Sequence, residues 1–211
     1  IESTDFIGAV RILAARAKMT VPEGNFDNER TLQMKKKRDN LAAIMLDSAR
    51  FYLSNLYSGD SRAQAHLEYI AGRNLAPTTV KKFGLGASLD FYGLPDYLAG
   101  KGYSRQDLID SGALQESKSG RLIDAQGGRL IFPIINAFDE VVGFGGRILE
   151  KKDFAKYKNT SDTLLFNKRK LLYNVNLLKK LKREQAIPNV IFVEGYMDTI
   201  SLYQAGFKNV V

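Results

Sequence analysis

The spacing of apolar residues changes along the 211-residue sequence. In the first 112 residues they recur at intervals of three, four and seven, as Leu41, Ile44, Met45 and Tyr52 do, and this period is typical of helices that bury one face. After Gly128 they form short continuous runs, which are typical of buried strands. The pattern therefore predicts an α+β fold, with a mostly helical first part and a small antiparallel sheet after it.

Six helices are predicted in the first part. Ser3 or Thr4 is placed to cap the first of them, and Ser104 is placed to cap the last, with Asp107 three residues later. The apolar stripe of the second helix indicates core packing rather than a ligand site. The predicted helices span residues 4–18, 28–58, 61–70, 77–83, 95–99 and 106–109.

The strands are predicted in the second part. Two apolar runs, residues 130–135 and 141–144, are joined by five residues and predict a β-hairpin. Further on, residues 190–193 predict a short buried strand, residues 197–205 a helix and residues 209–211 the start of another strand. This order is a β-α-β unit, whose strands are expected to be parallel. Because the last strand is only begun, we expect the sequence to be part of a longer polypeptide.

Basic residues outnumber acidic ones by 31 to 23, and the excess lies in residues 147–183, which hold twelve basic and three acidic residues. A local patch of this kind predicts a polyanionic partner, either nucleic acid or a membrane surface. Residues 159–162 interrupt any long amphipathic helix in this stretch, so nucleic acid or a nucleotide is the better fit. A solvated face with no partner is the alternative.

Cysteine is absent and His66 is the single histidine. These counts exclude a disulfide framework, a thiolate zinc site and a cysteine nucleophile, and they leave no ready way to build a Ser–His relay or a multi-histidine metal site. His66 falls within a predicted helix and is expected to be structural. No run of about 18 apolar residues and no signal-peptide layout occurs, so we expect a soluble cytoplasmic protein.

The residues that remain for chemistry are carboxylates, and two of them follow the predicted strand at residues 190–193. Glu194 comes at the end of this strand, Gly195 allows a sharp turn, and Asp198 falls in the first turn of the next helix. Ligands of open α/β sheets bind beyond the carboxyl ends of the strands, where such carboxylates can hold Mg²⁺ or exchange a proton. Alternatively, both residues only stabilise the start of the helix electrostatically.

The surroundings of this turn carry a family resemblance. Residues 194–200, followed by residues 205–211, resemble the opening of a TOPRIM domain as it occurs in bacterial DnaG-type DNA primases. Five further segments, in the family's order, resemble other motifs of these primases. They are residues 6–22, similar to the segment after the zinc-binding domain; residues 73–75 with 83–86 (R-G-L…F-x-L-G); residues 129–134 (R-[IV]-M-F-P-I); residues 143–147 (G-F-G-G-R); and residues 156–160 with 166–168 and 172–173 (K-Y-L-N-S…F-x-K…L-Y).

The resemblance implies a fragment of a nucleotidyltransferase, a DNA-directed RNA polymerase that makes short RNA primers on single-stranded DNA for replication. It assigns residues 1–186 to the N-terminal subdomain of the catalytic core, mostly helical at residues 1–112 and with the hairpin and basic stretch at residues 113–186. Residues 187–211 are assigned to the start of the TOPRIM domain. The family's remaining metal ligands lie on later strands of that domain, so we expect the 211 residues alone to be inactive.

The resemblance also implies the cofactor and the partners. Glu194 is implied to be a metal ligand or a catalytic acid or base, and Asp198 a catalytic carboxylate that orients it. The implied metal is Mg²⁺ or Mn²⁺, and zinc belongs only to a separate domain of the family. The implied partners are a single-stranded DNA template, ribonucleoside triphosphates and the RNA primer, with the replicative helicase bound through another domain. We expect a monomer at the replisome and nucleoid, without membrane contact.

The resemblance implies that a second set of residues binds nucleic acid or nucleotides. Arg147, Lys156 and Lys168 match family positions that bind template or nucleotide phosphates. Asn159 and Tyr157 are expected to add polar or stacking contacts, and Arg73 matches the arginine of the family's first motif. For Tyr157 the alternative is core packing, and for Arg73 it is capping of a helix C-terminus. The chain as a whole also has an alternative of a different class, a non-catalytic TOPRIM-like module that binds single-stranded nucleic acid. The set consists of Arg73, Arg147, Lys156, Tyr157, Asn159 and Lys168.

Two motifs raise further expectations about the site. Residues 124–127 read D-A-Q-G where the family has D-R-F-R, so two basic positions are missing, and Asn74 replaces the glycine after Arg73. The glycines of residues 143–147 lack the following helix of a dinucleotide-binding motif. We expect them either to let the backbone approach nucleic acid or to form a bulge that aims Arg147.

Overall fold

The computed structural model describes residues 6–20, 29–149 and 155–211. The chain divides into two compact units, residues 1–36 and residues 37–211, and the second holds every residue of the candidate site. In the first unit, helix α1 spans Phe6–Arg16. Its predicted cap at Ser3 or Thr4 lies outside the described residues.

The six predicted helices are confirmed, and each end lies within two residues of its predicted position. The helices after α1 are α2 (Glu29–Leu56), α3 (Ser61–Gly72), α4 (Pro77–Phe83), α5 (Gly93–Ala99), α6 (Arg105–Asp110), α7 (Val175–Glu184) and α8 (Tyr196–Gln204). The strands are β1 (Gly86–Ala87), β2 (Leu114–Glu116), β3 (Leu122–Asp124), β4 (Arg129–Ile135), β5 (Val141–Ile148) and β6 (Tyr157–Asn159).

Local hydrogen bonds explain where these helices begin and end. The Ser104 side chain accepts a hydrogen bond from the backbone N–H of Asp107, so it caps α6 as predicted. Asp60 caps α3 in the same way. Helix α4 starts at a proline and ends at Gly84, whose φ of 63° lies in the left-handed region that favours glycine.

The main sheet has four antiparallel strands in the order β1-β4-β5-β6. The predicted hairpin is its centre, because β4 and β5 pair along their whole length. In the register of the sheet, Leu130 lies opposite Arg147, which lies opposite Tyr157, and Phe132, Gly145 and Asn159 form the next row. Residues directly opposite each other in antiparallel strands project from the same face, so both rows share one face of the sheet.

Each face of the main sheet is covered by helices. On one face, Ile131 and Phe144 pack against Leu41, Ile44 and other apolar residues of α2. On the other face, Leu130 and Phe132 belong to a cluster that includes Met197 and Ile200 of α8. The stripe on α2 is therefore core, as predicted. The helix that carries Asp198 is attached to the face that carries Arg147, Tyr157 and Asn159.

The predicted β-α-β unit is parallel, as expected, but its first strand is less buried than predicted. Ile191 and Val210 form a parallel bridge on either side of α8, with backbone hydrogen bonds of 2.9 Å in both directions along it. Phe192, however, keeps 68% of its surface exposed. Val190, Ile191 and Val193 are half-buried, so the prediction of a buried strand is wrong.

Five of the described elements were not predicted from the sequence. Strands β1 and β6 form the two edges of the main sheet. Strands β2 and β3 form a separate two-stranded sheet, and α7 lies within the basic stretch. In the described part of the chain, no helix is long and apolar enough to cross a membrane.

Candidate nucleic-acid and metal site

The turn between Ile191 and α8 presents two carboxylates at the end of the parallel bridge. Gly195 is extended and occupies the N-cap position of α8, while Asp198 lies in the first turn of the helix. A Cβ atom added at Gly195 would lie 2.9 Å from Oδ2 of Asp198, so the glycine leaves room for this carboxylate beside the backbone. Glu194 and Asp198 are both exposed.

The oxygens of these carboxylates have no competing partner in the described parts of the chain. There, neither Glu194 nor Asp198 forms an ion pair or accepts a side-chain or backbone hydrogen bond, and no group of three or more potential metal ligands occurs. Hydrogen-bonded capping of α8 therefore does not occupy them. Two open carboxylates suit Mg²⁺ or Mn²⁺, which prefer oxygen ligands and keep several waters, so the turn fits one part of a metal site.

Two arginines predicted to bind nucleic acid or nucleotides, Arg73 and Arg147, both contact the ring of Tyr69. The sequence analysis did not indicate Tyr69. The guanidinium carbon of Arg147 lies 4.4 Å from the centre of the Tyr69 ring, and that of Arg73 lies 5.3 Å from the same centre. Arg147 also donates a hydrogen bond of 2.9 Å from Nη1 to the Tyr157 hydroxyl. Burial raises the pKa of Tyr69. Tyr69 lies one helical turn before Arg73, which is the only signal in the sequence that could have indicated this pair.

The backbone of Arg73 also occupies the C-cap position of α3. The two interpretations of this residue are therefore compatible, because the cap uses its backbone and leaves the guanidinium free for Tyr69.

The side chains of β6 alternate between the two faces of the sheet. Tyr157 and Asn159 lie on the face that carries α8, and the Tyr196 hydroxyl donates a hydrogen bond of 2.7 Å to Oδ1 of Asn159. Lys158 lies on the opposite face, where its Nζ donates to Gln115 and to the Ala125 carbonyl. Burial lowers the pKa of Lys158, and nearby Arg129 lowers it further. Lys158 is therefore a structural member of the basic stretch.

Four of the predicted site residues line one cleft of about 380 Å³ beside α8. Arg147 adjoins this cleft through its hydrogen bond to Tyr157. Lys156 is exposed just before β6, and Asp198 lies outside the residues that line the cleft. The four residues are Tyr157, Asn159, Lys168 and Glu194, and Tyr173 and Tyr196 form part of the same wall.

Cations in the second unit fall into two classes. One class is used inside the fold: for example, Lys180 pairs with Asp139 at 2.8 Å, and Lys179 donates to the Ala137 carbonyl. The other class has no carboxylate partner within the described residues, and it includes four of the residues predicted to bind nucleic acid or nucleotides, which are Arg73, Arg147, Lys156 and Lys168. Not every cation of the basic stretch, residues 147–183, is therefore available to a polyanionic partner. Lys151 and Lys152 of this stretch lie outside the described residues.

The glycines of residues 143–147 have a different role from the two that we expected. A Cβ atom at Gly145 would overlap the Tyr196 ring, and one at Gly146 would overlap the Gln126 side chain. The register shift of this strand pair lies at the other end of β4 from Arg147. These glycines therefore make room for protein side chains rather than for nucleic acid, and no bulge aims Arg147.

The segment that lacks the two basic residues of the family motif is built into the core. Asp124 is buried, and Gln126 is 1% exposed. A Cβ atom at Gly127 would overlap the ring of Phe91. In this chain the space beside residue 127 is thus taken by an aromatic ring.

Comparison with known proteins agrees with this geometry. The family model described as DNA primase catalytic core, N-terminal domain, matches residues 51–179. A DNA primase of Clostridium acetobutylicum is 34% identical over 207 residues, which are 98% of this chain and 33% of the relative. A DNA primase of Pseudomonas putida is 35% identical over 213 residues, which are 100% of this chain and 31% of the relative. The chain thus spans about a third of the length of these relatives.

Solved structures show the same fold. The RNA polymerase domain of Mycobacterium tuberculosis primase DnaG superposes with a TM-score of 0.74 at 31% identity, over 82% of this chain and 55% of that one. A DnaG primase catalytic domain bound to ssDNA gives a TM-score of 0.72 at 31% identity, over 83% of this chain and 54% of that one. The resemblance seen in the sequence motifs and the expected mixed helix and sheet fold are confirmed. The chain belongs to the DNA primases, and its residues 51–179 match the N-terminal domain of their catalytic core.

Proposed function

We propose that this chain forms the template-binding face and the first metal-binding turn of a primase that joins ribonucleotides into short primers on single-stranded DNA. The observation that carries the proposal is the cleft beside α8. It places Glu194, which has no partner in the described residues, together with Lys168, Tyr157 and Asn159, and Arg147 adjoins it. Cations that have no carboxylate partner in the described part of the chain, together with an open carboxylate, suit a site for phosphates and a divalent metal.

The residues of this site divide the work of nucleotidyl transfer. Arg147 offers a two-pronged donor and Lys168 a point charge for the phosphates of template or nucleotide. Tyr157 and Asn159 add stacking and hydrogen bonding. Glu194 and Asp198 would hold Mg²⁺ or Mn²⁺. When bound there, the metal neutralises phosphate charge and makes the attacking hydroxyl easier to deprotonate.

The proposal extends to domains and partners. Residues 187–211 would begin a TOPRIM domain after the N-terminal subdomain of residues 1–186, and the missing metal ligands would come from its later strands. The protein would act as a nucleotidyltransferase, a monomer at the replisome that meets the replicative helicase through another domain. A non-catalytic binding module is not favoured, because the relatives are named as DNA primases.

The test compares two variants of the full-length protein that carries this sequence. Glu194→Gln keeps the shape of the side chain and removes its charge, so DNA binding should be retained and primer synthesis should fall about a hundredfold or more. Lys156→Ala should instead raise the nucleotide concentration needed for half-maximal synthesis and leave the maximal rate closer to that of the parent. Primer synthesis against nucleotide concentration, with fluorescence anisotropy on single-stranded DNA, measures both.

The matched control is Glu184→Gln, which removes an exposed carboxylate from the last turn of α7. It should synthesise primers as the parent does. If Glu194→Gln does so too, Glu194 serves only as a charge at the helix start and the metal assignment is wrong.

A further inference from the structure

Tyr196 connects the metal-binding turn to the sheet. It is the first residue of α8, two positions after Glu194, and its hydroxyl donates a hydrogen bond of 2.7 Å to Asn159 on β6. Its ring stacks on Phe132, with ring centres 5.3 Å apart and planes inclined by 12°. The ring also packs edge-on against Tyr173, with centres 4.7 Å apart. The Tyr196 ring therefore packs against Phe132 and Tyr173, in a space that is open because Gly145 has no side chain.

In the structure, the Tyr196 hydroxyl is the donor of this hydrogen bond and Oδ1 of Asn159 is the acceptor. An asparagine amide has one acceptor oxygen and two N–H donors. When Oδ1 of Asn159 accepts from Tyr196, the amide plane is set and Nδ2 is turned away from the tyrosine.

The Nδ2 donors of Asn159 have no acceptor among the described residues. Asn159 is exposed and lines the cleft that also holds Lys168 and Glu194. In the described parts of the chain, its Nδ2 donates to no side chain or backbone carbonyl. Two N–H donors in a cleft with Lys168, which has no carboxylate partner among the described residues, suit an anionic oxygen. A flipped amide would present its oxygen and repel one.

We propose that Tyr196 is a positioning residue that holds the Asn159 amide with its N–H donors toward a phosphate oxygen of the bound ligand. The proposal rests on the proposed function of the cleft and names a further residue in it. The phosphate belongs either to single-stranded DNA or to a nucleotide. Both share the same anionic oxygen, so the experiment measures each separately.

The test is a double-mutant cycle in the full-length protein that carries this sequence. Tyr196→Phe removes only the hydroxyl. We expect it to lower the affinity for one of the two ligands about three- to tenfold, the range for one lost hydrogen bond. In an Asn159→Ala background the same change should have no further effect, because the partner is already gone. Anisotropy with a labelled single-stranded DNA oligonucleotide and calorimetry with ATP and Mg²⁺ identify which phosphate is bound.

Tyr203→Phe is the matched control, because Tyr203 is another aromatic residue on α8, and its ring packs on Phe83 instead. It should bind both ligands as the parent does. The proposal is overturned if Tyr196→Phe leaves both affinities unchanged, or if it weakens binding equally with and without Asn159. It is also overturned if Asn159→Ala has no effect on either ligand. The proposed function fails separately, if Arg147→Ala and Lys168→Ala leave both affinities unchanged.

Discussion

Asp124 is a buried carboxylate in the segment where the family motif has its two basic residues. It accepts hydrogen bonds from the Tyr52 hydroxyl at 2.8 Å, the Ser88 hydroxyl at 2.6 Å and the backbone N–H of Gln126 at 2.7 Å. Burial outweighs these bonds and raises its pKa from 3.8 to about 6. Between these two values the folded state binds more protons than the unfolded state, so Asp124 makes the protein less stable as pH rises through this window.

Titration of Asp124 should lower the free energy of unfolding by about 3 kcal/mol between pH 3.8 and about pH 6. Above this window its contribution should stay constant. Asp124→Asn keeps the shape and removes the titration. Denaturant unfolding of both proteins at several pH values measures the difference between their free energies of unfolding, in which the other groups cancel. The Asn variant should become more stable relative to the parent as pH rises through the window. A constant difference would show that Asp124 does not titrate there.

Single residues also show how far the sequence could predict the site. The shared turn of Glu194, Gly195 and Asp198 could be predicted because these residues lie only a few positions apart in the sequence. Tyr69 and Tyr196 were missed because their partners Arg147 and Asn159 lie 78 and 37 positions away, and only the register of the sheet brings them together. Long-range register is not visible in the period of apolar residues.

At the scale of elements, the attachment of α8 to the main sheet depends on a residue without a side chain. A methyl group at Gly145 would overlap the Tyr196 ring, so Gly145→Ala should displace the ring and break its hydrogen bond to Asn159. Overpacking of this kind costs about 1 to 3 kcal/mol. Urea unfolding measures the stability, and single-stranded DNA binding should weaken in parallel.

Gly72→Ala provides the control. An added Cβ at Gly72 would meet nothing within 4 Å, and alanine favours a helix over glycine by up to about 1 kcal/mol. We expect this variant to be as stable as the parent or more stable. Equal destabilisation by both substitutions would contradict the role assigned to Gly145.

The elements themselves were predictable where the apolar pattern is long. The β4–β5 hairpin and the stripe of α2 have enough apolar residues to show a clear period. Strands β2 and β3 have three residues each, too few to reveal alternation. Helix α7 has no buried residue. Its lysines interrupt the apolar residues, so its helical period was not clear in the sequence. The exposure of Phe192 was missed because an apolar run does not show which elements cover it.

At the scale of the whole molecule, the proposed function depends on where charge lies rather than on its total of +8. Replacing Arg147, Lys156 and Lys168 together by alanine removes three cations that have no carboxylate partner in the described residues. On single strands each lost phosphate contact lowers the salt dependence of binding by about 0.7, so the slope of log affinity against log salt should flatten by up to about two. Fluorescence anisotropy from low to moderate salt measures this slope.

A second triple variant removes the same charge from cations that are used inside the fold. Lys37 pairs with Asp110, Arg105 with Glu116 at 2.7 Å and Lys180 with Asp139 at 2.8 Å. Exposed pairs of this kind add about 0 to 1 kcal/mol each, so replacing all three by alanine should leave the protein folded, with the salt slope of the parent. If both triple variants flatten the slope equally, DNA responds to net charge alone, and no defined face of the sheet binds it. If only the first triple variant flattens the slope of log affinity against log salt, the result supports DNA binding at the face formed by β5, β6 and the cleft beside α8.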